Sequence, residues 1–161
     1  MTRSLKSIFC WKTLRHPNLL RVTGLLRKDG CFGYEMFFMK NGDLHELIGN
    51  RGARKGGIRP SELSRWSDEL LSGVVHMHER HIMHRDIKPS NILFDHGWSV
   101  VLSGFGCACG LPPVGKLPCG RYGTQGFMAP EVDHGELYGS PADVWSISRV
   151  VDACVTGDAL G

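Results

Sequence analysis

The chain has 161 residues, 42% apolar and 22% charged, and a net charge of +3. That balance is ordinary for a globular chain, the positive charge is too mild to argue for nucleic acid, and no apolar run approaches the roughly 18 residues of a membrane span, so neither partner is expected. No secretory leader is evident at the N-terminus, so a cytoplasmic location with free cysteine thiols is the expectation.

Leu19 to Arg27 and Cys31 to Met39 are apolar-rich runs split by Lys28-Asp29-Gly30, whose Asp-Gly step signals a hairpin. Arg51 to Arg59 is basic and glycine-rich, the composition of a solvated loop. A helix of roughly 18 residues is predicted next, with Ser61 as N-cap after Pro60. Its buried stripe would be Leu63, Trp66, Leu70, Leu71, Val74, Met77 and His78, which recur at three- and four-residue intervals. Ile92 to Phe94 reads as a short strand, His96-Gly97 as a turn, and Ser99 to Leu102 as the partner strand. Cys107, Cys109 and Cys119 follow at a spacing that matches no zinc motif. A last helix opens at Asp143-Val144-Trp145-Ser146 and runs to Thr156-Gly157.

The most informative stretch is Met83 to Phe94. Its His84-Arg85-Asp86-Ile87-Lys88-Pro89-Ser90-Asn91 resembles the catalytic loop of serine/threonine protein kinases, with one aliphatic exchange from H-R-D-L-x-x-x-N. Four more stretches resemble that family in its order. Leu14-Arg15-His16-Pro17-Asn18 is similar to the turn after the αC helix, Phe37 to Leu44 to the hinge, and Gly123-Thr124-Gln125-Gly126-Phe127-Met128-Ala129-Pro130-Glu131 to the close of the activation segment. The helix from Asp143 looks like αF.

The resemblance implies an α+β, protein kinase-like fold, mostly the helical large lobe (39–161) with a remnant of the small lobe (1–38). It implies transfer of a phosphoryl group from ATP, with Mg²⁺, to a protein Ser or Thr. Asp86 would take or orient the proton of the attacking hydroxyl, Lys88 would face the phosphate, and Asn91 would offer an oxygen to Mg²⁺. Met36 stands in the gatekeeper position, Phe37 to Met39 would meet the adenine from one side and Leu93 from below, and Asp43 would hold the ribose. Thr124 stands where the family bonds the catalytic Asp and Lys, Arg85 belongs to the loop motif, and Glu131 would pair with a later arginine. His84 would pack under Phe105.

The chain also departs from the pattern. Where the family carries the metal-binding aspartate of Asp-Phe-Gly, this sequence reads Gly104-Phe105-Gly106, and Ser7 stands in place of the αC glutamate. No glycine-rich loop or ATP-gripping lysine is found in it. Weak metal binding and strongly impaired transfer are therefore expected. Ser148-Arg149 places a charge in a helix expected to be buried, and Cys107 to Arg121 contains no Ser or Thr, leaving Tyr122 and Thr124 as the nearby hydroxyls. Three readings follow: a serine/threonine kinase represented by a truncated gene model, with Gly104 either a real defect or a sequence error; a pseudokinase that binds an unknown protein partner; or a decaying or truncated copy that does not fold. Exposed apolar faces would make the fragment marginally stable and prone to association.

Overall fold

The computed structural model describes residues 13–28, 31–51, 57–111 and 117–158. Ser7, Asp29-Gly30 and most of the glycine-rich basic loop fall outside them. Two antiparallel strands, β1 (Val22–Lys28) and β2 (Cys31–Met36), form a ribbon with Lys28 opposite Cys31. The first strand is shorter than the sequence suggests, because Leu19 and Leu20 pair elsewhere. Leu20 N–H donates to Leu102 O at 2.8 Å, and Leu102 N–H donates to Asn18 O at 2.9 Å. Phe37 to Met39 likewise leave the ribbon, and Phe38 is 85% exposed.

Helix α1 (Leu44–Arg51) follows, and Asp43 caps it by accepting the Glu46 N–H at 2.9 Å. The longest helix, α2 (Pro60–His78), has 19 residues. Its N-cap is Arg59 rather than Ser61, since Pro60 takes the first helical position, where a missing N–H costs nothing. Glu62 completes the cap, accepting the Arg59 N–H at 3.2 Å and its guanidinium at 2.8 Å. Trp66, Leu70, Gly73, Val74 and Met77 form its buried face. Leu71, expected in that stripe, is 38% exposed. Gly73 takes part instead because the chain at Asn18 crosses closely: a Cβ there would lie 3.2 Å from Asn18 O.

Two small antiparallel pairs frame the next loop. β3 (Ile82–Met83) pairs with β6 (Cys109–Gly110), and β4 (Ile92–Phe94) pairs with β5 (Val100–Leu102). The short α3 (Pro130–Asp133) precedes α4 (Pro141–Thr156), which ends at a left-handed Gly157. One core joins α1, α2, α4, β4 and β5 through Ile48, Trp66, Val74, Phe94, Leu102 and Val150. Arg149 is half-buried, with its guanidinium bonded to Asp152 at 2.6 Å and Gly126 O at 3.2 Å, so the charge reaches the edge of the helix. Burial pushes the Cys154 thiol up to about 12. No described helix is long and apolar enough to cross a membrane.

Candidate active site

The loop after β3 is held from three sides. His84 is fully buried, with its ring edge-on to Phe105 at 5.1 Å. Its Nδ1 accepts the Asp86 N–H at 3.3 Å, so Nε2 carries the proton and donates to Ser103 O at 2.7 Å. Burial holds its pKa below the ordinary value, against the pull of Asp143, the Ser103 carbonyl and Asp86, and the ring stays neutral.

Asp143, in the first turn of α4, holds the second side. Its carboxylate accepts the His84 N–H at 2.9 Å and the Arg85 N–H at 2.8 Å, and His78 Nε2 lies 2.8 Å away. Burial pushes this carboxyl's pKa up, but the hydrogen bond to His78, the nearby His84 and the two backbone N–H groups outweigh it and leave a net downward shift. These bonds hold Arg85 in a left-handed conformation (φ 67°) that is unfavourable for a side chain of this size. The Arg85 guanidinium donates to Cys107 O at 2.6 Å and Tyr138 Oη at 3.3 Å, and it stacks on Tyr122 at 4.3 Å.

The third side is the turn at Gly123-Thr124. Gly123 (φ 126°) passes so near that a Cβ would sit 2.7 Å from Arg85 O. This approach sets Thr124 over the loop. Its hydroxyl donates to Asp86 Oδ1 at 2.7 Å and accepts from Lys88 Nζ at 2.7 Å, while Lys88 lies 3.6 Å from Asp86 Oδ2. Asn91 Nδ2 donates to Asp86 O at 2.7 Å and to Asp86 Oδ2 at 3.2 Å. The structure thus gathers Asp86, Lys88, Asn91 and Thr124 into one hydrogen-bonded group, beside the Arg85 backbone.

The residues predicted to meet the nucleotide are less tightly gathered. Leu93 and Met39 are half-buried against the core, and Asp43 bridges to Leu93 while its carboxylate caps α1. Met36 ends β2 opposite Val22 and is exposed, as are Phe37 and Phe38. Glu131 is half-buried in α3. Sequence reasoning missed Asp143 as the loop's anchor and His78 as its partner. Their one signal is a carboxylate in the first turn of the last helix.

The donor set does not fit a divalent cation. Gly104 (φ 78°) offers no side-chain oxygen, and Asn91 lies over it so closely that an added Cβ would be 2.4 Å from Asn91 Oδ1. Asp86 is the remaining carboxylate, and both of its oxygens already accept hydrogen bonds. Among the described residues no group of three His, Cys, Asp or Glu side chains could hold a metal ion. Mg²⁺ is usually held by one or two carboxylates together with phosphate oxygens and waters, and here the protein side offers the hydrogen-bonded Asp86 and one neutral amide, Asn91.

The sequence profile of the protein kinase domain matches residues 2–160 of the chain. The chain is 32% identical over 154 residues to CBL-interacting serine/threonine-protein kinase 24 of Arabidopsis thaliana, covering 94% of this chain and 33% of that protein. It is 33% identical over 142 residues to mitogen-activated protein kinase kinase 2 of Arabidopsis thaliana, covering 88% and 38%. With human mitogen-activated protein kinase kinase kinase 1 it shares 33% over 143 residues, covering 86% and 9%. The chain therefore spans well under half the length of these relatives.

Proposed function

Since the chain belongs to the protein kinase family, we propose that it keeps the substrate-side machinery of protein Ser/Thr phosphoryl transfer from ATP but transfers phosphate poorly, for want of a metal carboxylate. Asp86 is the group that would receive the proton of an attacking hydroxyl, and Lys88 is the cation that would face the phosphate. The observation that carries the reading is Gly104 packed under Asn91, beside an otherwise complete hydrogen-bonded loop. Phosphoryl transfer depends mainly on neutralising charge around the transferred group, so a site short of cation ligands loses most of its rate even with its base in place.

Thermal unfolding of the chain with ATP, with and without Mg²⁺, tests this together with phosphate incorporation into a protein substrate. No Mg²⁺-dependent shift and only trace incorporation are expected. A clear Mg²⁺-dependent shift, or robust incorporation, overturns the proposal.

A second reading, a pseudokinase that binds a protein partner, is favoured by one feature. Val144, Trp145 and Val155 leave α4 with exposed apolar side chains, Val155 at 68%. On this reading Asp86 and Lys88 serve only to hold Thr124, and substituting them changes stability without changing partner binding.

A further inference from the structure

Away from the active site, two histidines meet where the turn after Thr13 crosses α2. His16 Nδ1 accepts the Asn18 N–H at 3.1 Å. A neutral ring in that arrangement carries its proton on Nε2, which faces Ser72 Oγ of α2 at 3.3 Å. The His16 and His76 rings lie 5.0 Å apart, tilted by 41°. His76 Nε2 is buried and has no hydrogen-bond partner.

We propose that the His16–His76 contact is an acid-labile joint, tying the turn at 16–18 to α2 only while both rings are neutral. A second proton on His16 must go to Nδ1, where it would point at the Asn18 N–H, donor against donor. A proton on His76 Nε2 would be buried with no acceptor. Two charged rings would also face each other beside Arg80, which donates to His76 O at 3.0 Å and lies 3.8 Å from Glu79. On its open side His16 shares a cleft with Arg21, Asp95 and His96. Both pKa values lie below the ordinary 6.5. Burial is the first cause in each, followed by His76 and Arg80 for His16, and by Arg80, partly offset by Glu79, for His76.

What the joint holds lies close to the active site. Asn18 Nδ2 donates to Val100 O at 2.8 Å, and its own carbonyl accepts the Leu102 N–H. The next residue, Ser103, donates its N–H to Asn91 O at 2.8 Å and accepts the bond from His84. Loosening the turn therefore frees one side of the strand that enters Gly104. The open turn takes up protons at the ordinary histidine value and the closed turn does not, so closure weakens as pH falls below 6.5.

Hydrogen exchange on the full chain tests the proposal, comparing protection factors at about pH 7.5 and about pH 5.5 for wild type and His16→Asn. Asparagine keeps an oxygen able to accept the Asn18 N–H but cannot titrate. In the wild type, protection of Leu20 and Leu102 is expected to fall roughly tenfold or more on acidification, with Val150 in α4 as the reference. His16→Asn flattens that fall, which separates the joint from any acid effect at His84. An equal fall in His16→Asn, or no fall in the wild type, overturns the proposal. If His16→Asn does not fold, the ring-proton titrations of His16 and His76 in the wild type decide. Midpoints below the ordinary value uphold the joint, and midpoints at or above it remove its basis.

Discussion

Asp143 accepts the backbone N–H of Arg85 at 2.8 Å across 58 residues of sequence. With the His84 N–H on its other oxygen, one carboxylate fixes two consecutive peptide units just before Asp86. The left-handed Arg85 would relax without it.

Removing this carboxylate leaves two backbone donors and His78 without their acceptor. Each unsatisfied buried donor costs about 1–3 kcal/mol. Asp143→Ala is expected to destabilise by about 3–5 kcal/mol, and Asp143→Asn, which keeps one acceptor oxygen, by less. Chemical denaturation measures both. A loss under about 1 kcal/mol for the alanine variant would mean that the loop does not depend on this anchor.

Acid should destabilise the chain in two steps. His84 has a lowered pKa in the folded state, so the unfolded state binds its proton first and stability begins to fall below pH 6.5. Glu62 is held down to about 2, chiefly by its hydrogen bond from Arg59 and with help from Arg51, against the cost of burial. Its contribution is present above 4.5 and is lost as pH falls toward about 2. Asp143, also lowered, adds to this second step. The melting temperature followed from neutral to strongly acid pH checks the order: His84→Phe should weaken the first decline, and Glu62→Gln the second. A single decline confined to the carboxylate range would remove the role given to His84.

Thr124 supplies one hydroxyl that donates to Asp86 and accepts from Lys88. Thr124→Val keeps the shape and removes both bonds, whereas Thr124→Ser keeps the hydroxyl. A hydrogen bond to a charged group contributes about 1.5–3 kcal/mol, reduced here because all three side chains are only partly buried. The valine variant should lose about 1–2 kcal/mol and the serine variant less than half of that, by thermal unfolding. Equal losses would point to the methyl group rather than the hydroxyl.

Short-range patterns carried much of this fold in the sequence. The β4–β5 pair was legible because two apolar triplets flank a His-Gly turn, and α2 because its period is helical. Leu71 and Ser61 misled because periodicity and propensity do not say which neighbour arrives, or that Pro60 would take the first helical position. Leu19 and Leu20 looked like part of β1 because both settings favour apolar residues, and only the tertiary pairing with Leu102 separates them. The Thr124 contact came through a resemblance between whole motifs. Asp143 opens a helix that the resemblance also covers, but its role as anchor was not legible, since a bond across 58 residues leaves no trace in local spacing.

Position 104 gives the sharpest test. Glycine there adopts φ 78°, and the absent Cβ leaves room for Asn91, which fills it while bonding Asp86 O at 2.7 Å. Any side chain at 104 displaces the Asn91 amide and takes on a left-handed backbone, together costing about 2–3 kcal/mol. Gly104→Ala and Gly104→Asp share that cost, with aspartate tolerating the backbone somewhat better. They differ in one respect, the new carboxylate beside the Asn91 side-chain oxygen. Thermal unfolding should place both below the wild type without added metal, and Mg²⁺ with ATP should raise only the aspartate variant. A Mg²⁺ response in the alanine variant would show that the ligands lie elsewhere. No response in the aspartate variant would mean that the lost carboxylate is not what keeps the cation out.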